Sequence, residues 1–577
     1  MVIVAALLQL GAALPPDSVD ALRSRARSAE ARYERLVRST APFSWGSSGA
    51  GSRCDEIVGR FCITFDSLSY PPAGIERPEV DAARGDAIEA ARRFFSAAPS
   101  DRAAAGPLVR LLVHDARPSE AVSAAGAFAA LSSDSLWADL LLGFSLHAAG
   151  ADSAAVARFD RALARMDSTM RQRWLDPAWL LDDAEWRAVR RLGSTPRDAY
   201  ERRLWRLADP FWMTRANEAW VEHMARHTES ALLRTVPVVA GMTSWGQDVY
   251  ELTVRYGTPT ARTRVDGPIA VPSSTLVEYW DSASRSYVPQ RLLLDGYATA
   301  PEPGRKPLLY AARARTGYAW RAVTRVLEPP HQVTRFVAGS NVVIRVDATV
   351  RADSAAARSS LVAALFVADS SLSAIRGARA QLSWRGDSVR VTRLTATPPG
   401  YVYYSLEGID TVADVAVRAR YALSAHLPRD PPWLSDILVC EPFAAGVQPA
   451  RFDDPALRAR PSLMVARGDT LGVYAEVYRL QRTGPGALEV ELALERADAP
   501  SVVRRLFEWV GRSVGLLEPG SEPRVAWRAE ALETVHTISL NLPLDARLSG
   551  RYTLMLRITD RASGRSAVSR RLIVIGS

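Results

Sequence analysis

Four columns of residues recur at intervals of 34 between residues 76 and 170, and this spacing constrains the fold more than any other feature. The columns are Ala87, Ala121 and Ala155; Ala91, Ala125 and Phe159; Phe94, Phe128 and Ala162; and Pro99, Ser133 and Asp167. A fixed period of this length marks stacked supersecondary units, each too small to bury its own apolar face alone. Ala155, Phe159 and Ala162 fall at i, i+4 and i+7, on one face of a helix. Small residues let two helices approach closely, and Gly150 supports a tight turn between them. The expected structure over 76–170 is therefore three antiparallel helix pairs.

The third copy carries the fullest pattern: Leu142-Gly143, Leu146, Gly150, Ala155, Phe159 and Ala162. With it the segment resembles the tetratricopeptide repeat. That resemblance implies a short α-helical solenoid, which serves either as a scaffold or as a concave surface for peptides and partner proteins.

After Arg171 the composition changes. Trp174, Trp179, Trp186, Trp205, Trp212, Trp220 and Trp245 crowd the next stretch. Such rings build a core, because each buries a large apolar area. A platform for sugars or bases is the alternative. The segment ERRLWRLADPFWMTRANEAWVEHMARHTESALLRT reads as one or two helices around Asp209-Pro210, and SWGQDVYELTVRYGTPTART follows it. Together they resemble the GWxTD-domain family of bacterial, mostly exported proteins. Phe211, Trp212, Arg215, Asn217 and Glu218 match its helical part. Trp245, Asp248, Arg255, Tyr256, Gly257 and Pro259 match its second part at unchanged spacing. Ser244 and Gln247 depart from the naming motif. The likeness is close over 195–330. It implies an architecture and brings no assigned activity.

Two readings of local chemistry follow from the residues themselves. Leu252, Val254 and Tyr256 alternate with Thr253 and Arg255, the period of a half-buried strand. Gly257-Thr258-Pro259 would end that strand. Arg255 is then expected to meet a carboxylate, Asp248 or Glu218 first, in a structural turn; a ligand or catalytic role is the alternative. His223 and His227 lie four apart, the spacing of two zinc ligands on one helix face. With Glu218, Glu222 and Asp248 nearby they define the alternative function, a metal-assisted hydrolase. The default is two surface histidines on an amphipathic helix.

From about Val342 the period becomes two. Ile344, Val346, Ala348 and Val350 set the pattern, and it returns at 415–423, 488–494 and 552–558. Repeated short strands between turn signals argue for antiparallel β-sandwiches of the Ig-like kind. Two are expected, at 331–445 and 458–577, joined by the Pro-rich, aperiodic stretch between them. The fold class expected for the whole chain is multi-domain α + β: an N-terminal α-helical repeat solenoid, a Trp-rich α/β middle domain over 171–330, and C-terminal β-sandwiches.

The chain has 577 residues and a net charge of +9. The basic excess is small for this length, and all basic residues but Lys306 are arginine, so nucleic acid is not expected as a partner. An apolar opening over 1–13 reads as a secretory signal peptide, which places the protein in the periplasm or at the cell surface. The segment 14–75 follows, and its Cys54 and Cys62 are expected to pair in that oxidising setting. Cys440 reads as a buried, reduced cysteine. No transmembrane span is expected after signal removal. The sequence holds no C-x-x-C, H-E-x-x-H or phosphate-loop motif. No catalytic residue, metal or cofactor is thus expected. The reading is a non-enzymatic binding protein whose partner is another protein held by the helical repeats. The alternatives are the hydrolase and carbohydrate binding by the Trp-rich region.

Overall fold

The computed structural model describes residues 18–41, 56–59, 61–63, 77–181, 183–236, 246–257, 261–266, 274–279, 291–296, 299–300, 302–305, 325–351, 360–412, 414–480, 484–497, 524–531 and 535–576. Helices dominate the first part and antiparallel sheets the second. The chain divides into two compact units. One is Met1–Pro210 with Thr214–Pro289 and Arg313–Arg321; the other is Phe211–Met213 with Gln290–Ala312 and Ala322–Ser577.

The first unit starts with α1 (Val19–Thr40) and the small hairpin β1 (Glu56–Val58) and β2 (Phe61–Ile63). Then come α2 (Pro78–Ala97), α3 (Arg102–His114), α4 (Pro118–Leu131), α5 (Ser135–Ala148), α6 (Asp152–Arg165) and α7 (Ser168–Leu175). The period of the sequence is written into these boundaries. The ends of α2, α4 and α6 fall 34 residues apart, and Asp101, Asp134 and Asp167 stand 33 apart as N-caps of α3, α5 and α7. Each caps with its own carboxylate, accepting from the backbone N–H of Ala103, Trp137 and Met170. That satisfies a donor the helix itself leaves unpaired.

The nine apolar column residues are each at most 2% exposed. Gly143 shows why one copy needs glycine: a Cβ there would stand 2.6 Å from the Phe159 ring. Gly150 ends α5 with φ of +74°, and Ala116, 34 residues earlier, takes the same left-handed turn at +54°. Charge also enters this core. Arg110 of α3 is 1% exposed and reaches Glu30 at 2.6 Å and Glu34 at 3.3 Å, tying α3 to α1.

Beyond α7 lie α8 (Asp183–Arg190), α9 (Ser194–Ala208), α10 (Glu218–Leu233) and α11 (Gln247–Tyr256), then the hairpin β3 (Ala261–Asp266) and β4 (Ser274–Tyr279). Val221, Met224, Ala225 and Leu232 of α10 share one core cluster with the repeat helices. The Trp-rich stretch and the repeats therefore belong to one packed body. α11 corrects the strand expected at 252–256. Leu252, Thr253, Val254, Arg255 and Tyr256 are all buried, so alternation in residue type did not report alternation in exposure. Among the described residues no helix is long and apolar enough to cross a membrane.

The second unit holds the short helix α12 (Arg291–Leu294) and strands β5 (Arg325–Leu327), β6 (His331–Ala338), β7 (Asn341–Arg351), β8 (Ser360–Asp369), β9 (Ile375–Ser383), β10 (Ser388–Thr397), β11 (Tyr401–Asp410) and β12 (Val415–Ser424). They form a three-stranded sheet, β10-β7-β6, and a five-stranded sheet, β5-β12-β11-β8-β9. Next come β13 (Trp433–Leu434), β14 (Leu438–Cys440), β15 (Met464–Val465), β16 (Thr470–Tyr478), β17 (Gly484–Arg496), β18 (Arg524–Ala531), β19 (Val535–Pro543), β20 (Gly550–Asp560) and β21 (Ser566–Ile575). Here the sheets are β13-β16-β14, with β19 also on β16, and β15-β21-β20-β17-β18. Trp433–Cys440, placed by the sequence with the first set of strands, ladders with β16 of the second. Cys440 is fully buried with a free thiol, which burial pushes up to about 12.

Candidate functional site

The residues that matched the family motif go to two places. Phe211 and Trp212 join the second unit, where both are buried. The Trp212 ring lies 4.1 Å from the Arg420 guanidinium carbon. Arg420 donates to Glu407 at 2.8 Å, and the other Glu407 oxygen accepts the Met213 backbone N–H at 2.9 Å. Glu407 is fully buried, so its charge depends on these partners.

The remaining motif residues build the first unit. Asn217 N-caps α10: its Oδ1 accepts from the Trp220 N–H at 3.0 Å, while its Nδ2 donates to the Trp205 carbonyl at 2.7 Å. One side chain thus starts α10 and fixes the end of α9. Glu218 is buried in the first turn of α10, where a negative charge suits the helix dipole, and Arg215 is exposed. Asp248 opens α11 and lies against Gly59 of the small hairpin. Tyr256 is buried, and Arg255 meets Glu251 at 2.7 Å, one turn back on its own helix. That is a partner the sequence did not suggest, because in a strand residues 251 and 255 would stand about 13 Å apart on one face, whereas one helical turn brings them together. Trp245 and Pro259 lie outside the described residues, as does the Cys54–Cys62 pairing.

Gly257 has φ of +70° and ends α11. A Cβ on it would stand 2.9 Å from the Arg226 guanidinium. Arg226 is 4% exposed, donates to the Arg255 carbonyl at 2.7 Å, and pairs with Glu222 at 2.7 Å. It therefore ties the C-terminus of α11 to α10. Sequence reading missed this residue; its signal was the i, i+4 pairing with Glu222 on a helix.

The two histidines expected at the surface are buried, His223 at 1% and His227 at 0% exposure. α10 is enclosed on nearly all sides, so it has no polar face to place them on. His223 Nε2 donates to the Trp174 carbonyl at 2.9 Å, and His227 Nδ1 lies 2.5 Å from the Tyr250 hydroxyl. The rings of Trp174 and Trp179 stack on His227, and those of Trp205 and Trp220 on and beside His223. Burial lowers His223 to about 4 and His227 well below its usual value, while Tyr250 is pushed up to about 12. This is a packed aromatic–histidine core. Among the described residues no group of three or more His, Cys, Asp or Glu side chains is placed to hold a metal ion.

Two other histidines fix α10 onto the repeats. His114 at the end of α3 meets Glu229 at 2.8 Å, and His147 at the end of α5 meets Glu222 at 2.6 Å. The histidines are 33 apart in the repeats and the glutamates seven apart on α10. Seven residues advance a helix by about 10 Å, close to the roughly 8–10 Å between packed helices. One helix thus spans successive repeats in step with them.

Beside the C-terminal end of α10 opens a cleft of about 970 Å³, lined from α1, α2, α3, α5, α7, α10 and α11. Five arginines line it, Arg23, Arg27, Arg102, Arg173 and Arg234, against two carboxylates, Glu30 and Asp167. Both carboxylates are engaged, Glu30 by Arg110 and Asp167 as the cap of α7. The sequence reading named none of these arginines.

No protein-family profile matches the chain, and no curated protein does. Among solved structures it is similar to red sea bream transglutaminase at 10% identity and a TM-score of 0.13, over 43% of this chain and 31% of that one. The chain thus spans under a third of that protein's length.

Proposed function

We propose that this is an exported, non-enzymatic, multi-domain binding protein acting in protein–protein or envelope-associated binding. In this reading the helical unit is a tetratricopeptide-like solenoid fused to a divergent GWxTD element, and the β-rich unit consists of Ig-like sandwiches. The observation that carries it is the arginine-lined cleft of about 970 Å³ in the helical unit. It lies at the upper end of the volumes that ligand pockets span, and its walls come from seven helices packed into one body. The face of α3 and α5 that would otherwise serve a partner is covered by α10. The partner is therefore assigned to the cleft. The motif residues act as scaffold, since those described, the exposed Arg215 apart, are capping, ion-paired or packed in a core.

A photo-reactive amino acid at position 27, in the cleft, and in a second strain at position 376, on β9, tests this in the producing bacterium. The expected result is a protein adduct at position 27 that is absent at 376, recovered from the cell envelope. No adduct at position 27, or recovery from the cytoplasm alone, would contradict the proposal.

A further inference from the structure

The cleft also carries information about the chemistry of its occupant. Three of its arginines stand over aromatic rings: Arg23 over Phe94 at 5.4 Å, Arg102 over Trp137 at 4.8 Å and Arg173 over Tyr250 at 4.2 Å. A guanidinium seated over a ring is held there by cation–π attraction. The N–H edge of a guanidinium matches a carboxylate in a two-pronged bond. Arg173 spends one of those donors on the Gln247 side-chain oxygen at 2.5 Å and meets no carboxylate among the described residues. Arg27 and Arg234 are exposed and pair with no carboxylate among the described residues either. Arg23 pairs with Asp20 and Asp101, and Arg102 meets Asp134 at 3.8 Å, so it is Arg27, Arg173 and Arg234 that leave the rim an excess of positive charge among the described residues.

The same geometry argues against a nucleic acid. Base binding needs open ring faces. Here the faces of Phe94, Trp137 and Tyr250 each carry an arginine, and Trp174 is stacked on His227. Between the arginines the wall is apolar, with Ala26, Ala103, Pro107, Leu111 and Met170. A lining that holds both cations and apolar seats suits a chain that carries both carboxylates and aliphatic side chains.

We propose that the cleft binds an acidic peptide segment of a partner protein. Its Asp and Glu side chains lie on the edges of Arg27, Arg173 and Arg234, and its apolar side chains on the wall between them. This rests on the binding reading above and adds the class of ligand.

The test is capture of the full chain on an array of random octapeptides. Wild type is compared with Arg27→Gln/Arg234→Gln, each checked for an unchanged melting curve. The expected result is that bound peptides are enriched in Asp and Glu, and that the double variant binds them roughly tenfold more weakly. Bound peptides without acidic enrichment would overturn this inference and leave the binding function standing. No bound peptide at all would overturn both. Displacement of bound peptides by low millimolar inorganic phosphate, or by oligothymidylate, would make the cleft a site for phosphate-bearing ligands and overturn the peptide assignment.

Discussion

Lowering the pH from 7 towards 4 is expected to destabilise the helical unit by about 3 kcal/mol through His223 alone. His223 titrates near 6.5 in an unfolded chain and near 4 in the fold, because burial penalises its charged form. Between those values the unfolded state binds the extra proton. The contribution is therefore fully present above pH 6.5 and is lost as the pH falls towards 4. His227 is shifted in the same direction, with His223 and Arg173 adding to its burial, so it steepens the loss. Trp174, Trp179, Trp205 and Trp220 surround the pair, and their fluorescence reports the transition directly. Denaturant melts at a series of pH values should show the falling stability. His223→Gln retains an N–H donor for the Trp174 carbonyl but cannot ionise, so it should flatten the slope. A pH-independent wild-type stability over this range would mean that the histidines are hydrated, and the packed core described here would be wrong.

Arg420→Met in the second unit is expected to cost about 3–5 kcal/mol. The substitution fills similar space but strips the buried Glu407 of its counter-charge. Glu407 is fully buried and also accepts from the Ser405 hydroxyl at 2.7 Å and the Met213 N–H at 2.9 Å. It cannot turn to water without releasing the Phe211–Met213 segment. A thermal scan should show the β-rich unit melting roughly 10 °C lower. The double variant Glu407→Gln/Arg420→Met should recover a large part of the loss. Glutamine carries no charge, and its carbonyl oxygen can still accept from Met213. If the single variant is as stable as wild type, Glu407 is not held by this pair.

The repeat was legible because it is recorded in side chains that must be small or aromatic at a fixed period. Ala121, Ala125 and Phe128 occupy their expected buried positions for that reason. The N-cap column Asp101, Asp134 and Asp167 was equally visible at a spacing of 33, and only its last member entered the columns first recognised. Alternation failed at 252–256 because a segment buried all round carries no exposure signal, so β-branched and aromatic residues there mimic a strand. The histidines were misplaced for a related cause. Nothing in EHMARH announces that helices from distant parts of the chain enclose it. Beyond its spacing from Glu222, the role of Arg226 was illegible, as were those of the cleft arginines, because they depend on which helix ends meet. In an arginine-rich composition no single arginine stands out. The ladder of Leu438–Cys440 with β16 was hidden in the same way, since strand pairing is set by topology and not by local pattern.

The central claim is that the helical unit binds its partner in the cleft, while the aromatic–histidine core is scaffold. It is tested most directly by fluorescence anisotropy with the strongest peptide from the array, titrated against three variants. Arg27→Gln/Arg234→Gln removes two cleft arginines; Arg376→Gln/Arg547→Gln removes two exposed arginines of the β-rich unit; His223→Gln alters the aromatic–histidine core. The account predicts roughly tenfold weaker binding for the first, with its melting curve unchanged. It predicts wild-type affinity at pH 7 for the other two. Equal weakening by the two double variants would reduce the interaction to net charge. Loss of binding in a folded His223→Gln protein, with the cleft variant unaffected, would place the site at the aromatic–histidine core and contradict the account.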